Sequence, residues 1–150
     1  MLFTAFTTLL AATAAVSASP LTRRTNTEVV WTNTAGIVRN GDDVASISFT
    51  LHSDTSGNST YCTTGANANP SMDDPKFYSC EAEEYAFRYV ERVAYGRFKI
   101  ALVHQTSAFA GLQGNMTIGC NGSNSIACDQ VGKATATLCS DDSCGQSAGN

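Results

Sequence analysis

Six cysteines, Cys62, Cys80, Cys120, Cys128, Cys139 and Cys144, limit what this 150-residue chain can fold into. Their even number carries weight because of what precedes them. Met1-Leu2-Phe3-Thr4-Ala5-Phe6 runs into an apolar stretch ending at Val16-Ser17-Ala18, with small residues where a signal peptidase reads them. That stretch falls short of the ~20 apolar residues needed to span a bilayer. Leu21-Thr22-Arg23-Arg24 then supplies a dibasic processing site. The chain reads as a signal peptide over 1–18 cut after Ala18, and a short pro-segment over 19–24 cut after Arg24. A single β-rich domain over 25–144 and a flexible tail over 145–150 follow. In a small exported domain an even set of cysteines means disulfides. Of the many connectivities that six cysteines allow, neighbour pairing is the simplest: Cys62–Cys80, Cys120–Cys128 and Cys139–Cys144. The rival is a metal site, but there is no C-x-x-C pair, and His52 and His104 lie far apart in sequence. No metal and no cofactor is expected.

Loss of Arg23 and Arg24 leaves seven of the 9 Lys+Arg against 13 Asp+Glu, a formal charge of −6. Such a balance keeps an exported protein soluble and repels phosphate backbones. No basic cluster with interleaved aromatics is present, so nucleic acid is excluded as a partner. Neither a second apolar segment nor a lipid-anchor signal follows, so no membrane is expected.

Strand signals dominate the body. From Val44 to His52 the residues alternate, with Ile47, Phe49 and Leu51 on one face and Ser46, Ser48 and Thr50 on the other. Glu28-Val29-Val30-Trp31-Thr32 is an earlier β-rich run, and Asn40-Gly41-Asp42 between the two carries turn chemistry. Arg97 to His104 alternates again, with Phe98, Ile100 and Leu102 predicted to face inward. Asn115 to Ile118 and Lys133 to Leu138 complete the strands, while the polar residues 53–76 read as one long surface loop. From Glu81 to Tyr95 two patterns compete. Apolar residues at Ala82, Tyr85, Ala86, Tyr89, Val90 and Val93 have helical spacing, yet Tyr85, Phe87 and Tyr89 also alternate as in a strand.

Catalysis would have to come from His52, His104, Glu84, Glu91 and Arg92, the residue types of a small secreted ribonuclease. On the strand pattern His52 falls on a polar face and His104 at a strand end, so both are expected to be solvated, and no catalytic residue is assigned. The paired carboxylates Asp42-Asp43, Asp73-Asp74 and Asp141-Asp142 lack the ligand spacing of a calcium loop. Sequons mark Asn58, Asn115 and Asn121 as candidate glycosylation sites, with Asn58 in the polar loop the most accessible and Asn115 shielded by its strand.

Several segments, taken in order, resemble a known family. They are Ser46-Ile47-Ser48-Phe49-Thr50-Leu51, Tyr78-Ser79-Cys80, Tyr85-Ala86-Phe87, Ala101-Leu102-Val103-His104-Gln105, Gly111-Leu112-Gln113-Gly114, Cys120, and Ala127-Cys128-Asp129-Gln130-Val131-Gly132. Between about Val44 and Cys139 the chain is similar to the fungal Alternaria major-allergen-like family of small secreted proteins. The resemblance implies an all-β, single-domain antiparallel β-barrel or sandwich stapled by disulfides matching Cys62–Cys80 and Cys120–Cys128, with at most one short helix. It favours strand over helix from Glu84 to Val90. It also implies an allergen-like effector or elicitor without an established catalytic mechanism, and small-molecule binding that no residue here can be assigned to. No cysteine precedes Cys62, unlike in the founding allergen with its interchain disulfide, so a monomer or non-covalent oligomer is expected. Cys139–Cys144 looks like an addition, and Tyr89 to Arg97 departs from the family's turn.

The function expected is therefore that of a secreted, non-enzymatic protein recognising a host extracellular protein or receptor. The alternatives are an extracellular small-ligand carrier and a small secreted ribonuclease.

Overall fold

The computed structural model describes residues 26–121, 126–141 and Cys144, so the signal peptide, the Ala18 and Arg24 processing sites and the 145–150 tail lie outside the described residues. Ten strands form one antiparallel sheet: β1 (Thr27–Thr32), β2 (Gly36–Asn40), β3 (Asp43–Ser53), β4 (Ser59–Thr63), β5 (Tyr78–Ser79), β6 (Tyr85–Ala94), β7 (Arg97–Ser107), β8 (Ala110–Gly119), β9 (Ala127–Asp129) and β10 (Ala134–Cys139). The order is β5-β6-β7-β8-β10-β1-β3-β2-β9, with β4 paired to β3 off this path. The sheet curls into a half-barrel, and its β4 and β5 ends meet at an antiparallel bridge between Cys62 and Cys80.

Alternation builds the interior. In β3 the inward set includes Ile47, Phe49 and Leu51, and in β7 it is Phe98, Ile100 and Leu102, all nearly inaccessible to solvent. Phe49 meets Phe87 edge to face at 4.9 Å, tying β3 to β6 across the core. Strands β1 and β2 run in nearly continuous register along β3 (Trp31↔His52, then Gly36↔Ser48), broken at Asn33–Ala35. Gln130 fills that break. Its Oε1 accepts from Ala35 N–H at 2.9 Å, and its Nε2 donates to Thr32 carbonyl at 2.8 Å. The side chain thus satisfies backbone groups that the interrupted ladder leaves open.

One sequence expectation needs correction, and one ambiguity resolves in favour of the strand that the family resemblance implied. The polar stretch 53–76 is not one loop, because it contains β4, which registers Phe49↔Cys62 and Leu51↔Thr60 and turns Thr60 and Cys62 inward. The helical spacing over Glu81–Tyr95 is not realised, and no α-helix occurs among the described residues. A turn at Glu81–Glu84 leads into β6, whose Tyr85, Phe87 and Tyr89 point inward against β7. The register shifts after Tyr89 and again after Arg92, so Val90 and Val93 fall out of phase and mimic a helical period. Tyr95-Gly96 closes the β6–β7 hairpin with Gly96 at φ 66°, a left-handed conformation that suits glycine.

Strand β8 passes β10 closely at Gly114, where an added Cβ would overlap the Thr137 carbonyl oxygen and lie 3.0 Å from Leu138 Cδ2. Because the obstacle is backbone, Gly114→Ala is expected to destabilise the fold by ~1–3 kcal/mol. Urea denaturation measures this, and an unchanged midpoint would refute the close packing.

Candidate functional site

Strand β1 presents two polar residues on opposite faces. Trp31 lies outward, where its ring stacks on His52 at 4.1 Å, Lys133 Nζ sits 4.2 Å from its centroid, and its Nε1 donates to Asp54 Oδ1 at 2.7 Å. Glu28 shares the inward face with Val30 and is only 4% exposed. A charge so placed must be paired. Glu28 Oε1 accepts from Ser53 Oγ at 2.5 Å and from the Tyr85 hydroxyl at 2.7 Å, and Oε2 contacts His104 Nδ1 at 2.5 Å. The Tyr85 and His104 rings stack at 4.1 Å. One carboxylate therefore joins β1, β3, β6 and β7.

Burial alone would raise the Glu28 carboxyl's pKa, but the hydrogen bonds from Ser53, Tyr85 and His104, with the His104 charge, outweigh it and hold the group below its ordinary value. The carboxylate is therefore ionised and accepts only, so Ser53, Tyr85 and Nδ1 of His104 must each donate a proton. Burial, then the Glu28 hydrogen bond and charge, push the Tyr85 phenol well above its ordinary value of 10.0. Nδ1 of His104 therefore carries a proton, and Nε2 is the ring nitrogen without a partner among the described residues.

An open cleft of about 560 Å³ lies over this cluster. Ser53, Tyr85 and His104 line its base, while the β3–β4 turn at Ser56–Ser59 and the residues Ala82 and Glu84 form its walls. Thr60, 8% exposed, accepts from Ala82 N–H at 2.8 Å and fixes the two walls together. A second concavity of about 700 Å³ lies between the β2–β3 hairpin and β6. Arg92 Nη1 meets Asp42 across it at 3.3 Å, Glu91 beside them meets Lys99 at 3.4 Å, and Asp43 and Asp73 also line it.

The histidines expected to be solvated are both in ring contacts, His52 on the outer face and His104 in the cleft, so the ribonuclease set does not converge. Glu84 joins His104 at the cleft, whereas Glu91 and Arg92 belong to the other concavity. Among the described residues no group of three or more His, Cys, Asp or Glu is placed to hold a metal. Asn58 is exposed in the cleft wall, Asn115 is half-buried in β8, and Asn121 is exposed, with its sequon running into residues outside those described. All six cysteines are joined within the chain, as Cys62–Cys80, Cys120–Cys128 and Cys139–Cys144. Sequence reading missed Glu28. The available signal was an acidic residue in phase with Val30 and Thr32 on the face that should be apolar.

A family profile described as Alternaria alternata allergen 1 matches residues 34–144. The chain belongs to the Alternaria allergen 1 family. Two solved structures give the corresponding likeness of fold. A crystal structure of the Alternaria alternata major allergen Alt a 1 is 17% identical with a TM-score of 0.52, covering 74% of this chain and 91% of that one. Another crystal structure of Alternaria alternata allergen Alt a 1 is 17% identical with a TM-score of 0.54, covering 74% of this chain and 86% of that one. No curated protein sequence matches the chain. The matched region of the Alternaria allergen 1 family takes in the cleft except for Glu28, which lies ahead of it.

Proposed function

We propose that this member of the Alternaria allergen 1 family is a secreted, non-enzymatic effector or elicitor that presents a disulfide-held β surface to a host extracellular protein or receptor. The observation that carries this reading is the use made of the most organised polar cluster. Glu28, Ser53, Tyr85 and His104 hold four strands together, and among the described residues no serine, threonine or cysteine hydrogen-bonds to His104 Nε2 as a nucleophile would. Export and an acidic surface suit the same role, and a glycan at Asn58 would be carried on the exposed β3–β4 turn. With every cysteine paired internally, the protein acts as a monomer or non-covalent oligomer.

Leaf infiltration with oxidised residues 25–150, against the reduced and alkylated protein, tests this. An oxidative burst and cell death are expected from the oxidised form alone. Equal responses, or none from either with no host protein captured, would remove the effector reading.

The cleft over His104 favours a second reading, in which the protein carries a small ligand. Trp31 lies on the other face of β1, so the reporter of ligand in the cleft is the His104 ring.

A further inference from the structure

The polar groups of the cleft fall into two sets. One consists of donors that no protein acceptor receives. Ser56 Oγ accepts from Asn58 N–H at 3.2 Å and Thr60 Oγ1 from Ala82 N–H at 2.8 Å, yet among the described residues neither hydroxyl donates to anything. The Ser59 hydroxyl and the Asn58 amide are likewise unengaged at the exposed wall. The other set is the exposed Glu84 carboxylate, which only accepts, together with the His104 ring edge at Nε2, whose opposite nitrogen Nδ1 donates its hydrogen bond to the ionised Glu28.

An anion could satisfy only the first set, and Glu84 with the ionised Glu28 beneath would repel it. An ammonium ion could satisfy only the second. A neutral ligand bearing several hydroxyl groups answers both, because each hydroxyl donates and accepts. Ala82 and the edge of the Tyr85 ring supply apolar contact for its C–H groups. The volume, about 560 Å³, lies within the roughly 300–1,000 Å³ range of small-molecule sites. From this arrangement we infer that the cleft between the β3–β4 turn and Ala82–Tyr85 binds a neutral saccharide of one or two sugar units. Glu84 accepts from its hydroxyls, His104 Nε2 hydrogen-bonds to one of them, and Ser56, Ser59 and Thr60 donate to its oxygens. This inference rests on the ligand-carrier reading and names the ligand's chemistry.

The test follows the His104 ring nitrogens and the amides of Ser59, Thr60, Ala82 and Glu84 by NMR in the oxidised protein. Sucrose, maltose and cellobiose are titrated, with spermidine and citrate as the cationic and anionic probes. At least one disaccharide is expected to shift these signals saturably. Glu84→Ala, an exposed substitution, should weaken that binding roughly tenfold through loss of a charged acceptor, with the melting temperature unchanged. Ser59→Ala should weaken it by a smaller factor. Shifts with spermidine or citrate alone would overturn the saccharide assignment and leave the carrier reading standing. No shift with any probe would overturn both.

Discussion

Glu28→Ala is expected to lower folding stability by ~3–5 kcal/mol, the range for removing one partner from a buried, hydrogen-bonded charge cluster. The substitution strands the Ser53 and Tyr85 hydroxyls and the His104 Nδ1–H in an interior where Ser53 and Tyr85 are 6% and 7% exposed. Tyr85→Phe removes one donor and leaves the carboxylate two, so ~1 kcal/mol is expected. The order of these two effects separates a shared carboxylate from four independent contacts. The dependence on pH provides a second check. Because the Glu28 carboxyl is lowered in the fold, its contribution is fully present above the ordinary value of 4.5 and is lost as the pH falls through the folded value. The Tyr85 phenol is raised, so its contribution is present below 10.0 and is lost as the pH rises toward the folded value. Urea denaturation of wild type and Glu28→Ala should therefore show a gap that narrows below 4.5. A gap that widens on acidification would mean that the carboxylate is not the stabilising form.

Where the chain alternates without interruption, the fold was legible: β3 and β7 each place three large apolar residues on one face, and they form the centre of the core. The strands that were missed are short, and they exist because of their neighbours. β4 is Ser-Thr-Tyr-Cys-Thr, with no apolar run to announce it, and it is held by β3 on one side and by Cys80 on the other. β2 is hidden by its proximity to the Asn40-Gly41-Asp42 turn, and β9 is three residues that pair only with β2. β6 was ambiguous for another reason, since two bulges turn a two-residue period into one that passes for a helix. The site was less legible than the fold. Its members are separated by 76 residues between Glu28 and His104, and a single sequence gives no means of pairing them. What could be read was the misfit of a carboxylate on an apolar face. Such a misfit says that partners exist without naming them.

The rim of the cleft depends on a covalent bond far from its polar base. Cys62 is inaccessible to solvent and lies in the same strand as Ser59 and Thr60, and Cys80 immediately precedes the Glu81–Glu84 wall. They are 18 residues apart in sequence, so in the chain-entropy model the bond contributes about 3 kcal/mol. For Cys139–Cys144, with a separation of 5, the same model gives about 2 kcal/mol. Cys62→Ala/Cys80→Ala should therefore be the more destabilising of the two disulfide deletions, by about 1 kcal/mol. Without the bond, two hydrogen bonds still fasten the walls: Glu81 N–H to the Tyr61 carbonyl at 2.8 Å, and Ala82 N–H to Thr60 Oγ1 at 2.8 Å. The loss should consequently be felt first at these positions, as faster hydrogen exchange at Glu81 and Ala82 under conditions where β7 and β8 remain protected. Wild-type exchange at Glu81 and Ala82 in that variant would show that the hydrogen bonds alone hold the wall. A cleft left intact without its disulfide would also sever the expected link between oxidation and recognition, because the surface presented to a host protein would then survive reduction of Cys62–Cys80.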